Sequence, residues 1–75
     1  MNEEKAYEIL ANHLGPDYYI IECYKKLDDI FLFSVKETKY KDDDFVLPDG
    51  YGVDSSGKVL DWDAIDKYLD EKGID

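Results

Sequence analysis

Cysteine is almost absent from this chain of 75 residues, and its single thiol, Cys23, can form no internal disulfide. Small extracellular domains are usually rich in cysteine, so a lone thiol favours a reducing compartment. Residues 1–5 are acidic and contain no apolar segment of the kind found in a signal peptide. We therefore expect a cytoplasmic protein.

Long hydrophobic runs are missing as well. The longest, residues 18–21 and 30–33, are far shorter than the roughly 20 residues that a membrane-spanning helix needs. The sequence thus predicts a soluble protein with no membrane partner. Its length suits one domain, residues 1–75, and leaves no room for a second.

Arginine is absent altogether, and nineteen Asp and Glu against nine Lys give a net charge of −10. Such a surface repels nucleic-acid backbones and anionic lipids. Without arginine the chain also lacks the side chain that most often clamps phosphate in a bidentate manner. We expect no direct binding of nucleic acid. The charge fits a basic protein partner, and it equally fits a surface that only keeps the chain in solution.

Helical signals stand at both ends of the chain. Asn2 can cap a first helix, which Gly15 and Pro16 should end, and its apolar residues recur with helical spacing. Asp61 can cap a second helix, which should end at Gly73 with Ile74 packing back on it.

Strand-forming residues fill most of the chain between these helices. Residues 18–27 and 30–38 predict a hairpin with a loop at residues 28–30, in which Cys23 faces Val35 and Tyr24 faces Ser34. Residues 40–44 predict a solvated loop, and residues 45–47 a return to the core. A second hairpin, residues 51–60, should turn at Gly57 with a positive φ.

These elements predict an α+β fold. We expect a small antiparallel sheet of three to four strands with two helices on one face, in the order α-β-β-β(-β)-α. The predicted core comprises Ile9, Leu10, Ile65 and Leu69 from the helices with Ile21, Phe33 and Val35 from the strands.

The pattern predicts neither a catalytic nor a metal site. His13, the only histidine, has no neighbour at a spacing that suggests an acid–base pair, and Cys23 is expected to act as a small buried hydrophobe. The acidic stretches lack the Gly and Glu spacing of an EF-hand calcium loop. We expect no enzyme activity, cofactor or metal. A cation site without a known motif, at residues 42–44 with Asp49, is the alternative.

Charge and aromatic residues coincide in one part of the chain. The residues predicted to contact a partner are Asp42, Asp43, Asp44 and Asp49, with Tyr40 and Tyr51 beside them. Exposed tyrosine next to charge is a common composition of protein-binding surfaces, and exposed loops often carry binding residues. The alternative is that the acidic residues only solvate the loop.

Residues 6–68 resemble the immunity protein 35 (YrhB-like) family of small bacterial proteins. The resemblance lies in the opening helix, the aromatic-rich second strand at residues 29–33, the turn at residues 52–59 and the closing helix that contains Tyr68. The same turn is similar to the end of PepSY-type domains, which are often inhibitory or regulatory. The resemblance to the immunity family implies a cytoplasmic protein that neutralises a toxin by binding it, without catalytic residues.

The sequence therefore favours a non-enzymatic protein-binding module, an immunity or inhibitor protein with a basic partner. One alternative is an acidic decoy that imitates nucleic acid, which would spread its carboxylates at phosphate-like intervals. Another is a small accessory domain with a ligand pocket between sheet and helices. The identity of the partner and the oligomeric state are not predicted.

Overall fold

A computed structural model describes residues 1–73 as two α-helices, one short 3-10 helix (Thr38–Tyr40) and four strands. Helices α1 (Glu3–Leu14) and α2 (Trp62–Lys72) stand at the two ends of the chain. Between them lie β1 (Tyr18–Leu27), β2 (Ile30–Glu37), β3 (Asp49–Val53) and β4 (Val59–Leu60). The strands form one antiparallel sheet in the order β1-β2-β3-β4. The predicted α+β class and order of elements are confirmed. Within the described residues, no helix has the length and apolar character needed to cross a membrane.

Both helices begin at the predicted caps. The Asn2 side chain accepts a hydrogen bond of 2.8 Å from the backbone N–H of Lys5, and Asp61 accepts one of 2.8 Å from that of Ala64. Each bond satisfies an N–H that has no partner within the first helical turn. Gly73 ends α2 in the left-handed conformation, with φ at 69°. The predicted packing of Ile74 lies outside the described residues.

Strand β2 is buried on both of its faces, and this determines where the helices lie. Phe31, Phe33 and Val35 point to one face, where they form a cluster with Ala6 and Leu10 of α1. We call this the α1 face. Ile30 and Leu32 point to the other, the α2 face, where they pack with Leu60 and with Ile65 of α2.

The prediction of two helices on one face of the sheet is therefore wrong. Side chains alternate along a strand, so an apolar run such as residues 30–33 presents apolar groups on both sides. Covering both sides requires one layer on each. The two helices supply these layers from opposite faces of the sheet.

A glycine in β3 allows α2 to approach the sheet closely. A Cβ atom at Gly52 would lie 2.8 Å from Ile30 Cγ2 and 3.3 Å from Ile65 Cδ1, too close for unstrained packing. The missing side chain at Gly52 leaves the space that Ile65 fills. Ile65 is fully buried as a result.

The predicted register of the first hairpin is wrong, and the error increases from the loop toward the start of β1. The loop contains two residues, Asp28 and Asp29, with φ at 56° for Asp28, and Leu27 pairs with Ile30. Two β-bulges in β1, between Ile20 and Glu22 and between Cys23 and Lys25, each add one residue.

These insertions change which residues of β1 reach the core. Cys23 pairs with Phe33 rather than with Val35, and Ile20 is buried where Ile21 was predicted. Ile21 is exposed. The other predicted core residues are confirmed, with Leu10, Phe33, Val35 and Ile65 fully buried and Ile9 and Leu69 packed against them at the margin.

The second hairpin has the predicted turn. The carboxylate of Asp54 accepts hydrogen bonds of 3.0 Å and 2.9 Å from the backbone N–H groups of Ser56 and Lys58. Partial burial raises the pKa of Asp54, but these bonds, together with one of 2.7 Å that the Ser56 hydroxyl donates, hold it below its usual value. Gly57 has φ at 87°, a conformation that glycine adopts without strain.

A hydrogen bond between side chains connects α2 to the first hairpin. The Tyr68 hydroxyl donates to Asp28 Oδ2 over 2.6 Å, and this bond, aided by desolvation and the negative charge of Asp28, raises the pKa of Tyr68 to about 12. The ordinary tyrosine pKa is about 10, so the folded state holds this proton more tightly than the unfolded state does.

Tyr68 should therefore stabilise the protein in a pH-dependent way. Its contribution is complete below about pH 10, and it should be lost as the pH rises through about 12. We expect the free energy of unfolding of the native protein to exceed that of Tyr68→Phe by an amount that shrinks over this range. Urea unfolding of both proteins at a series of alkaline pH values measures the difference. A difference that does not change with pH would mean that this hydrogen bond does not control the proton of Tyr68.

Candidate protein-binding surface

Residues 41–48, here called the acidic loop, lie between β3 and a 3-10 helix (Thr38–Tyr40) that follows β2. Hydrogen bonds to the Asp43 backbone and side chain hold this loop. Lys36 of β2 donates from Nζ to the Asp43 carbonyl over 2.8 Å. The Asp43 backbone N–H donates to the Tyr40 carbonyl over 3.0 Å, and its carboxylate accepts a 2.9 Å bond from the N–H of Phe45. The loop is therefore tied to the sheet rather than free to adopt many conformations.

Two lysines, one just before the acidic loop and one at its start, contact aromatic rings. Lys41 Nζ lies 4.7 Å from the centroid of the Tyr19 ring, and Lys39 Nζ lies 5.0 Å from that of Tyr40. Lys39 also pairs with Glu37 at 3.3 Å. Asp42 and Asp44 are exposed, so the loop presents negative charge to solvent.

Two apolar side chains extend from the same loop into solvent. Phe45 is 97% exposed and Leu47 is 84% exposed, so the prediction that residues 45–47 return to the core is wrong. Both faces of the central strand β2 are already covered, by α1 on one side and α2 on the other. The segment is also confined between three aspartates and Pro48, close to the start of β3.

The predicted site residues divide into two groups. Asp42, Asp43 and Asp44 lie together in the acidic loop, which Tyr40 immediately precedes, whereas Asp49 and Tyr51 lie on β3. Tyr40 and the three loop aspartates therefore lie together in the connection between β2 and β3, whereas the other two residues lie in β3 itself.

Tyr51 pairs with Phe33 and packs half-buried against the core on the α1 face. Burial, followed by the nearby Tyr18 and Asp49, raises its pKa. The structure assigns Tyr51 a packing role in β3, whereas Tyr40 lies in the turn before the acidic loop and is exposed.

Sequence reasoning left two groups of exposed side chains out of the candidate site. The first is Phe45 and Leu47, whose position between an acidic run and a proline was the available signal. The second is Trp62 and Tyr24, which line a groove on the α2 face. Tyr24 occupies a bulge that alternation does not reveal.

Two side chains of types that often perform catalysis, His13 and Cys23, lie in different elements, α1 and β1. Within residues 1–73, no group of three or more His, Cys, Asp or Glu side chains is placed to hold a metal ion. Burial, followed by the charge of Glu3, raises the pKa of Cys23, so its thiol stays protonated and is a poor nucleophile at neutral pH. His13 lies exposed in the last turn of α1.

Comparison with known proteins finds no matching family model, curated protein or solved structure. The functional interpretation therefore depends on the geometry and chemistry of this chain.

Proposed function

We propose that this chain is a cytoplasmic, non-enzymatic module that inhibits or neutralises a basic partner protein by binding it through the acidic loop. The observation that carries the proposal is the exposure of Phe45 and Leu47 beside Asp42 and Asp44. Burying a side chain of this size in an interface contributes about 1.5–3 kcal/mol. The carboxylates around these apolar groups would select a positively charged partner.

The hydrogen bonds within the loop support this role. Lys36 and the Asp43 carboxylate hold the backbone from Asp43 to Phe45, so less conformational freedom is lost on binding. The resemblance to the immunity protein 35 family points in the same direction, because it implies a small protein that neutralises a toxin by binding it. The exposed apolar side chains also favour an interface that buries them over imitation of nucleic acid, which would instead need carboxylates spread at phosphate-like intervals.

The acidic residues should mainly accelerate association. We expect the simultaneous change of Asp42, Asp43 and Asp44 to Asn to slow binding by about tenfold at low salt, with a smaller effect at physiological salt. The fold should persist, because the amide introduced by Asp43→Asn retains an oxygen that can accept the Phe45 N–H. The partner is first captured with the tagged native chain and identified, and association rates are then measured at both salt concentrations.

A matched control removes three negative charges elsewhere. The changes Asp66→Asn, Asp70→Asn and Glu71→Gln fall on exposed positions of α2 and should slow association much less. Equal slowing by both triple variants would show that only net charge matters. A captured partner without a basic surface, or an unchanged rate for the loop variant, would contradict the proposal.

A further inference from the structure

Two consecutive turns form the centre of the acidic loop, and Asp43 belongs to both. In the first turn the Asp43 N–H donates to the Tyr40 carbonyl over 3.0 Å, and in the second the Val46 N–H donates to the Asp43 carbonyl over 3.3 Å. The Asp43 carboxylate also accepts the Phe45 N–H, a bond that aspartate at the first position of a turn commonly forms. Asp44 and Phe45 therefore stand at the tip of the second turn, which presents a carboxylate next to an apolar ring.

A side chain of β2 joins these turns to the sheet. Lys36 Nζ donates to the Asp43 carbonyl over 2.8 Å from a half-buried position. Lys36 pairs with Tyr19 across the first hairpin, one position along from Val35, which faces α1, so Lys36 and Tyr19 both point to the α2 face. Lys41, at the start of the acidic loop, lies 4.7 Å from the centroid of the Tyr19 ring. The acidic loop is therefore held against the α2 face at this end of the sheet.

The bond from Lys36 is the strongest of those that hold the Asp43 carbonyl. Its donor carries a full positive charge, and such bonds are about twice as strong as those between neutral groups. The bond that the same carbonyl accepts from the Val46 N–H is longer than is usual. Without the ammonium group, the second turn would lose its direct connection to β2, and its tip would be free to point in other directions.

We propose that Lys36 is a positioning residue for partner binding, whose ammonium group holds residues 43–46 so that the tip of the turn faces the basic partner. Lys36 itself does not contact that partner. The neighbouring aspartates then differ in role, because Asp43 is half-buried and bonded through its N–H, carbonyl and carboxylate, whereas Asp44 is exposed. The inference rests on the proposed function for the identity of the binding surface.

The first test uses the protein alone. Lys36→Met keeps the length of the side chain and removes the donor. We expect the Phe45 and Val46 amides to exchange their hydrogens about tenfold faster in this variant, as measured by NMR. The amides of Phe33 and Ile65, in the core, should stay within about twofold of their native rates. Chymotrypsin, which cleaves after aromatic residues, gives a second readout, because cleavage after Phe45 should accelerate by a similar factor.

Two lysine variants serve as controls. Lys36→Arg keeps a cationic donor and should restore most of the protection that Lys36→Met loses. Lys39→Met removes the same charge from a nearby exposed position, where the ammonium group pairs with Glu37 and contacts the Tyr40 ring. It should leave both the exchange rates and the cleavage rate within about twofold of native values.

A pair of aspartate variants tests the division of roles. Asp43→Ala removes the carboxylate that accepts the Phe45 N–H, so the Phe45 amide should exchange faster. Asp44→Ala removes the same charge from the tip of the turn and should leave that amide close to its native rate. Equal exchange of the Phe45 amide in the two variants would contradict the distinction.

The second test uses the partner captured and identified with the tagged native chain. Lys36→Met should associate several-fold more slowly than Lys39→Met, which has the same net charge, because only molecules with the turn in the competent orientation bind. The dissociation rates of the two variants should agree within about twofold, since the contacts in the complex are the same.

Three results from the protein alone would overturn the proposal. They are native exchange rates in Lys36→Met, equal acceleration of loop and core amides, and equal acceleration by Lys36→Met and Lys39→Met. Each of them would leave the proposed function untouched, because no partner takes part in the measurement. Conversely, a loop released by Lys36→Met with an unchanged association rate would refute only the positioning role of Lys36.

Discussion

Replacing Leu10 by alanine is expected to remove a large part of the protein's free energy of unfolding at room temperature, and at most all of it. Leu10 is fully buried in the cluster that joins α1 to Phe33 and Val35. Removing a buried leucine side chain costs about 2–5 kcal/mol because a cavity remains. A domain of this size has a total stability of roughly 5 kcal/mol, so one such change is comparable to the whole. Urea denaturation followed by circular dichroism measures the loss.

The chain offers a matched control in Leu47, which undergoes the same chemical change in a different environment. Leu47 is 84% exposed, so Leu47→Ala should alter the free energy of unfolding by less than about 0.5 kcal/mol. A similar loss in both variants would show that removing any leucine side chain, buried or exposed, lowers the free energy of unfolding by the same amount. A loss below about 0.5 kcal/mol for Leu10→Ala would remove this residue from the core.

Local features of the fold could be predicted because they depend on a few neighbouring residues. The caps at Asn2 and Asp61 and the turn at Gly57 follow from side-chain chemistry within four positions, and each is present. The same applies to the strands, whose β-branched and aromatic residues are concentrated in residues 18–38. No distant contact has to be known for these predictions.

The pairing of β1 could not be predicted because two bulges interrupt it. A single inserted residue moves all following side chains to the opposite face, and this chain has two such insertions, near Ile21 and Tyr24. Neither bulge contains a glycine or another residue that would indicate its position in the sequence. The register prediction also assumed a three-residue loop, whereas Asp28 adopts a positive φ and closes a loop of two.

The placement of the helices could have been predicted from β2. Its continuous apolar run is typical of a strand covered on both faces, and antiparallel sheets with one solvated face show alternation instead. Gly50 and Gly52 in β3 gave a second signal, because small residues on one face of a strand allow another element to approach closely. The groove lined by Trp62 and Tyr24 follows from this placement, since it is the part of the α2 face that the helix leaves open.

The exposure of the acidic loop was predictable from its charge, but that of its apolar side chains was not. Hydrophobicity alone places Phe45 and Leu47 in the core. What keeps them in solvent is the coverage of both faces of β2 by other residues and the tether of Asp43 to Lys36. Both features belong to the tertiary structure and cannot be read from the local sequence. They also make the exposure informative, because large apolar groups held in water commonly mark an interaction site.

Changing Phe45 and Leu47 together to serine is expected to have the largest effect on binding of the partner protein. If each side chain contributes about 1.5–3 kcal/mol when buried, the pair contributes roughly 3–6 kcal/mol, which corresponds to a loss of affinity of at least about a hundredfold. Most of it should appear as faster dissociation, since apolar anchors hold a complex whereas charges steer its formation. The stability of the free protein should stay within about 0.5 kcal/mol, because both groups are already exposed.

The double variant Phe45→Leu with Leu47→Phe provides the control, because it keeps the apolar surface of the loop while exchanging its shape. We expect it to retain most of the affinity that the serine variant loses, since exchanging similar apolar groups usually costs less than about 1.5 kcal/mol. Dissociation rates of the native, serine and exchanged proteins from the identified partner give the comparison. A dissociation rate of the serine variant within about twofold of the native rate would mean that Phe45 and Leu47 stay in solvent in the complex. In that case the loop would contribute to partner binding only through its aspartates, which accelerate association.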